Sequence, residues 1–325
     1  MTARFVVAVT SGLIVLALTA VGCGSPESPQ AVTVTPVNGM PGGAEEIKTA
    51  PPAGNTDCDR EASLRPGPQP SPGAMPPGST MAAILERGRL IVGVDQATNL
   101  FGSRNPATGR LEGFDIDLAR ELARDIFGDP DRVDLRVVTA AQRETALQEG
   151  QVDLVVRTYS ITCDRKNKVA FSTPYYVAKQ RILATKGSGI RSAADLSGKR
   201  VCAVKGTTSL AALFALDPRP TLYGVSQWTD CLVMIQQGQV DAISTDDVVL
   251  AGLKDQDQKN LELVGPSIGD EPYGVGVKLG NDDLVRFVNG ALAQMREDGT
   301  WERLYQANLQ EVAPSPGPPQ ARYQD

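Results

Sequence analysis

Three polar clusters in this chain carry residue types suited to holding a small charged molecule. The first is Arg157-Thr158-Tyr159-Ser160-Ile161-Thr162-Cys163-Asp164-Arg165, the second Lys205-Gly206-Thr207-Thr208-Ser209, and the third Thr245-Asp246-Asp247. Hydroxyls, amides at a helix start and an arginine together suit an anion. The carboxylates of the third cluster suit a cation. An anion clamp facing a carboxylate fits a zwitterion, and free amino acids are the commonest small zwitterions. Each residue also has a plainer reading. Arg165 has Asp164 or Glu149 within reach as a surface ion-pair partner, and Asp246 is placed to cap a helix over 247–253.

Composition narrows the chemistry. The chain has 325 residues, no histidine, and a formal charge of −6 from 32 basic and 38 acidic residues. Without histidine there is no Ser-His-Asp triad, Cys-His dyad or His-ligated metal. No Cys-x-x-Cys spacing suggests zinc or redox chemistry, so no metal and no cofactor are expected. The acidic balance argues against a nucleic-acid surface.

The clusters need a scaffold, and the patterning supplies one. Residues 89–94 read as a buried strand, and Phe114 to Phe127 as an amphipathic helix with Phe114, Leu118, Leu122 and Ile126 on one stripe. A strand over 133–138, a helix over 143–149 and a strand over 152–156 continue the alternation. Such βαβ order implies a mostly parallel sheet covered by helices. A long helical pattern from Asp283 to Leu309 is interrupted at Gly299. The run Gln148-Glu149-Gly150-Gln151-Val152-Asp153 is echoed by Gln236-Gln237-Gly238-Gln239-Val240-Asp241. The echo suggests two lobes whose strand ends face a cleft, where open α/β sheets bind ligands.

The flanks read differently. Arg4 precedes an apolar run from Phe5 to Val21, short for a spanning helix and suited to a signal-peptide core. The run ends at Gly22-Cys23, which resembles a lipobox with Ala20 where leucine is usual. Cys23 is then the lipidated mature N-terminus; an ordinary secretory signal or an uncleaved anchor are the alternatives. All three place the rest outside the cytoplasm. Four cysteines remain, and an oxidising compartment favours two disulfides. Cys202, on a strand-like run, and Cys231, on a helix-like one, are the favoured pair, leaving Cys58–Cys163. Of 23 prolines, 12 lie between Gly24 and Thr80 and 4 between Ala313 and Asp325, so 23–80 is expected as a tether and 313–325 as a tail, with the Asn55 to Asp59 neighbourhood the exception, stapled to the body by Cys58.

The chain from about Gly88 to Leu309 resembles the bacterial extracellular solute-binding proteins of family 3, receptors of polar amino-acid ABC importers. The matching runs are Gly113 to Ala119, Asp153 to Thr162 with Arg165, Phe171 to Tyr176, Asp195 to Lys199, Lys205 to Ser209, and Asp298 to Trp301. The cysteine pair, Ser244-Thr245-Asp246-Asp247 and the tether look closest to the family's glutamate/glutamine-binding lipoproteins. The resemblance implies an α/β, two-lobed periplasmic-binding-protein fold with two crossover strands and a ligand cleft between the lobes. Its crossings fall near Lys179 to Arg181 and Glu271 to Gly274. The domains are then a signal peptide (1–22), the tether (23–80), lobe 1 (81–180 and 272–312), lobe 2 (181–271) and the tail.

The resemblance also implies roles. Arg165, with the Ser160 hydroxyl and Thr208 amide, grips the ligand α-carboxylate. Asp246 and the Thr158 carbonyl hold the α-ammonium, and Phe101 covers the aliphatic part unless it is core. Thr207 belongs to the same loop. Arg143, Arg157 and Lys205 then remain as unspent cations, and some aspartate- and glutamate-binding relatives use an arginine at the place of Arg143 on the distal carboxylate. L-Glutamate or L-aspartate is therefore expected ahead of glutamine or asparagine, since unpaired buried charge is costly. The expected protein is a monomeric, lipid-anchored, non-enzymatic receptor for an ABC permease. A sensor subunit read by a membrane signalling protein is the alternative. Some relatives of this fold have become dehydratases, and Lys205 is the only lysine the sequence places in the cleft as a base.

Overall fold

The computed structural model describes residues 39–50 and 57–325, and residues 40–325 form one unit. The signal segment and Cys23 lie outside the described residues. Among those described, no helix is long and apolar enough to cross a membrane.

In chain order, β1 (Glu45–Glu46) and β2 (Ala62–Ser63) precede α1 (Thr80–Arg87) and β3 (Leu90–Val94). A meander of β4 (Ala97–Thr98), β5 (Gly102–Arg104) and β6 (Leu111–Glu112) leads into α2 (Phe114–Phe127). Then follow β7 (Val133–Val137), α3 (Arg143–Gln148), β8 (Leu154–Val155), α4 (Cys163–Lys166), β9 (Val169–Phe171) and β10 (Tyr176–Thr185). The second lobe continues with β11 (Arg200–Val204), α5 (Thr208–Phe214), β12 (Thr221–Val225), α6 (Trp228–Gln236), β13 (Ala242–Asp246), α7 (Asp247–Gln256) and β14 (Leu261–Tyr273). The chain closes with β15 (Gly276–Lys278), α8 (Asp282–Glu297), α9 (Thr300–Asn308) and β16 (Arg322–Tyr323).

Two sheets carry the lobes. One has the order β7-β3-β8-β15-β9 and the other β1-β12-β11-β13-β10-β14. Parallel pairing of β3 with β7 and β8, and of β11 with β12 and β13, follows from the intervening helices. The α2 stripe Phe114, Leu118, Leu122 and Ile126 is buried in the first core, as its 3.6-residue spacing requires. Gly113 starts that helix at φ 125°, where a Cβ would sit 2.5 Å from the Phe101 carbonyl carbon. Only glycine fits there. Helices α8 and α9 also pack into this core, separated by Gly299 at φ 78°.

The long strands β10 and β14 pair antiparallel and change core along their length. Tyr176 and Ala178 pack in the first core, whereas Ile182, Leu183 and Ala184 pack in the second. On β14, Leu261 belongs to the second core and Tyr273 to the first. The register shifts between Gln180 and Ile182. Such an irregularity locally loosens a ladder, at the point where the chain changes lobe.

The Cys58 staple is present as expected, and further contacts fasten the flanks. Glu45 and Glu46 add to the edge of the second-lobe sheet, opposite Gly224 and Tyr223. Further on, Cys58 is disulfide-bonded to Cys163 of the first lobe, and β2 pairs in parallel with β16 from the C-terminal residues. Buried Asn289 donates to Ser63 Oγ at 2.8 Å and to the Leu64 carbonyl at 2.7 Å. Ala62 and Met75 are buried. Proline-rich composition averages over these few anchors, and it is the anchors that dock the chain. The second disulfide joins Cys202 to Cys231 inside the second core.

Candidate functional site

The loop after β8 brings the first cluster to the cleft. Its backbone pairs with the end of β14: the Ile161 amide donates to the Pro272 carbonyl at 2.7 Å, and the Gly274 amide to the Tyr159 carbonyl at 3.1 Å. Thr158 adopts φ 37°, an unfavourable conformation for a β-branched residue. Asp115 holds it there. Its carboxylate accepts from the Thr158 amide at 2.8 Å and from the Tyr175 hydroxyl at 2.7 Å. Sequence reading placed Asp115 only within a family motif; its partners lie 43 and 60 residues away.

Burial raises the Asp115 carboxyl to about pH 7, against the pull of its two hydrogen bonds. An unfolded aspartate titrates near 4, so the folded chain keeps a proton that the unfolded chain has released between these values. The contribution to stability is full below about pH 4, declines as pH rises, and is gone above about 7. Denaturant unfolding across pH 4.5–8 should therefore show the difference between wild type and Asp115→Asn shifting against wild type as pH rises. A pH-independent difference would mean the carboxyl stays ionised throughout.

Two arginines meet at the same place. Arg143, at the start of α3, donates from Nε to the Ala140 carbonyl at 2.9 Å, and from its Nη atoms to the carbonyls of Arg157 at 3.3 Å and Gly206 at 3.1 Å. Arg165, on α4, donates to the carbonyls of Ser160 at 2.6 Å and Gly206 at 3.0 Å. Both guanidiniums lie over the Tyr159 ring, at 4.2 and 5.0 Å. Both arginines are buried, and neither has a carboxylate among the described ion pairs. Burial and the neighbouring Arg165 charge push the Arg143 guanidinium well below its usual range. Two desolvated cations bonded only to carbonyls make a site for an anion.

Their shared acceptor belongs to the other lobe. Gly206 sits at φ 77°, and a Cβ there would lie 2.9 Å from Ala141 Cα. A bare backbone is what allows the lobes to approach so closely.

From the second lobe, Thr207 caps α5, accepting from the Leu210 amide at 3.2 Å. The Thr208 hydroxyl donates to Glu271 at 2.8 Å and lies 3.4 Å from Ser160 Oγ. Asp246, at the end of β13, accepts the Tyr273 hydroxyl on one oxygen, while its Oδ1 is buried with no partner. Burial, then the nearby Glu271 charge, raise its carboxyl well above the usual range. Arg143, Arg157, Thr158, Ser160, Thr207, Thr208 and Asp246 line one cavity together with Ser209, Trp228, Thr245 and Val249.

Arg165 stands behind Arg143 and is not among the cavity's lining residues, and three further expected ligand groups are otherwise engaged. Arg157 forms a buried ion pair with Asp95 at 2.9 Å and donates to the Val138 carbonyl at 2.7 Å, so its charge is already balanced. Lys205 turns to the N-terminal segment, bonding Glu45 at 2.9 Å and the Gly43 carbonyl at 3.0 Å. Phe101 is fully buried among Phe114, Tyr176 and Tyr273; it backs the Tyr273 ring instead of lining the cavity. Glu271 and Tyr273 escaped sequence reading, which saw this stretch only as a crossing. Among the described residues no acidic, cysteine or histidine cluster could hold a metal ion.

Two α/β lobes joined by paired crossing strands, with buried cations and carboxylates meeting between them, define a two-lobed binding protein for small charged molecules. The chain belongs to the bacterial extracellular solute-binding proteins, family 3, whose model matches residues 90–311. It is 38% identical over 233 residues to the ABC transporter glutamine-binding protein GlnH of Bacillus subtilis, covering 71% of this chain and 85% of that one. The glutamate-binding protein GluB of Corynebacterium glutamicum is 32% identical over 245 residues, covering 72% and 83%. Among solved structures, the solute receptor for L-cysteine of Neisseria gonorrhoeae superposes with a TM-score of 0.71 at 29% identity, over 74% of this chain and all of that one.

Proposed function

We propose that this protein is an extracytoplasmic receptor for a free acidic amino acid, L-glutamate or L-aspartate, serving an ABC importer and held at the membrane through a lipidated Cys23. The carrying observation is that buried Arg143, with no carboxylate among the described ion pairs, lines one cavity with Asp246, whose Oδ1 is unpartnered, while Arg165 shares the Tyr159 ring and the Gly206 carbonyl with Arg143. Arg165 takes the α-carboxylate and Asp246 the α-ammonium. With Arg157 and Lys205 spent elsewhere, Arg143 alone is left for the distal carboxylate. Glutamine- and glutamate-binding relatives support the amino-acid class and the transporter partner.

Closure is part of binding in this reading. Gly206 accepts from both arginines across the cleft, so a ligand carboxylate that engages them draws on the groups that join the lobes. The same closed surface would serve a sensor, and co-purification from membranes separates a permease from a signalling partner.

Calorimetric titration of the ligand-stripped protein near neutral pH tests the assignment. Glutamate or aspartate should bind more tightly than glutamine, and all three more tightly than lysine or arginine. Glutamine binding at least as tightly as both acids would remove Arg143 from the ligand's side chain while leaving the α-carbon clamp intact.

A further inference from the structure

We propose that Glu271, on the hinge strand β14, is a specificity-determining residue that joins Asp246 in a two-carboxylate site, whose missing cation is the ammonium of the ligand. The inference rests on the amino-acid reading above and adds what the site demands of the ligand's charge.

The geometry starts from register. Glu271 lies opposite Ala178 on β10, and Asp246 lies opposite Gln180 on the other edge of the same strand. Cross-strand partners share a face, and so do residues two apart. Both acids therefore stand on one face of the sheet, with the small Ala178 between them. Tyr273, two residues beyond Glu271, reaches back from that face to donate its hydroxyl to Asp246. Glu271 is 7% exposed and Asp246 5%.

The positive charge nearby belongs to arginines across the cleft, and none of it pairs with either acid among the described ion pairs. Facing Asp246 are Glu271 and Tyr273 from β14, Asp247 at the start of α7, and Arg143 from the opposite lobe. Strand β10 offers uncharged Gln180, and α5 offers the hydroxyls of Thr208 and Ser209. Neither acid has a lysine or arginine among the described ion pairs. Two ionised carboxylates in one dry site repel, and a proton on Asp246 relieves the repulsion. The raised titration of Asp246 is consistent with this.

A ligand ammonium supplies the missing cation, so the proton leaves to solvent as the ammonium arrives. Affinity should then fall as pH drops through the raised titration of Asp246. A diacid lacking the amine, such as glutarate, brings no cation and would leave the two acids without a counter-charge. The pair therefore selects an amino acid over a similar dicarboxylate. Through its Thr208 bond, Glu271 also places this selection on a strand that runs between the lobes.

Calorimetry with L-glutamate in buffers of different ionisation enthalpy, between pH 5.5 and 8, reads the proton count directly. Wild type should release a fraction of a proton, with affinity rising at most about tenfold per pH unit, and should not bind glutarate. Glu271→Gln keeps an acceptor for the Thr208 hydroxyl; its proton release should drop toward zero and its pH profile flatten. A wild-type proton count of zero throughout, tight glutarate binding, or an unchanged count in folded Glu271→Gln would overturn the proposal. If L-glutamate binds without proton exchange, only this inference fails. If neither acidic amino acids nor their amides bind, the receptor reading fails with it.

Discussion

Arg165→Ala is expected to weaken amino-acid binding by about 2–5 kcal/mol, at least tens-fold in affinity, with the fold retained. The guanidinium is buried, stacked over Tyr159 and bonded to the Ser160 and Gly206 carbonyls. Truncation would leave a desolvated ligand carboxylate without its charged partner, and removing one side of a buried hydrogen-bonded charge pair has that cost. The lobes also lose one of two arginine bonds to Gly206, so closure weakens together with binding. Calorimetry on the purified variant checks this. Wild-type affinity would put the carboxylate clamp elsewhere.

Arg143→Met should change selectivity more than overall binding. A hydrogen bond to a charged group contributes about 1.5–3 kcal/mol, so glutamate affinity should fall by roughly ten- to a hundredfold, with glutamine falling less. The methionine stem fills much of the same space beside Tyr159. Thermal unfolding of the variant reports whether loss of the bonds to Ala140 and Gly206 has disturbed the loop. Parallel titration with the two ligands gives the ratio, and an unchanged ratio in a folded variant would separate Arg143 from the distal carboxylate.

What the sequence revealed depended on how local the signal was. The α2 stripe was legible because its spacing is written in consecutive turns, and the break between α8 and α9 because Gly299 stands between the polar Asp298 and Thr300 in a helical pattern. Cys202–Cys231 was legible because both residues lie on adjoining elements. The balance of charge was not. Arg157 is neutralised by Asp95, 62 residues earlier, and Lys205 by Glu45, 160 residues earlier; no periodicity connects such pairs. Glu271 and Tyr273 became visible only once β10 and β14 were in register. The Cys58 staple was legible from the cysteine count, but composition concealed the other contacts that fasten the flanks, because a count of prolines does not record where Glu45 or Ala62 falls.

Those fastened flanks set a limit on travel. Glu46 is held on the edge of the second lobe and Cys58 is bonded into the first. The backbone joining them cannot extend much beyond about 40 Å, at roughly 3.6 Å per residue. Any swing that asked for more would first have to peel Glu45 and Glu46 from β12 and part Lys205 from Glu45. Any opening of the hinge would therefore be capped by covalent length as well as by the two strands that cross between the lobes. A pull on the N-terminal end reaches the second lobe through this short ladder before the disulfide passes it to the first.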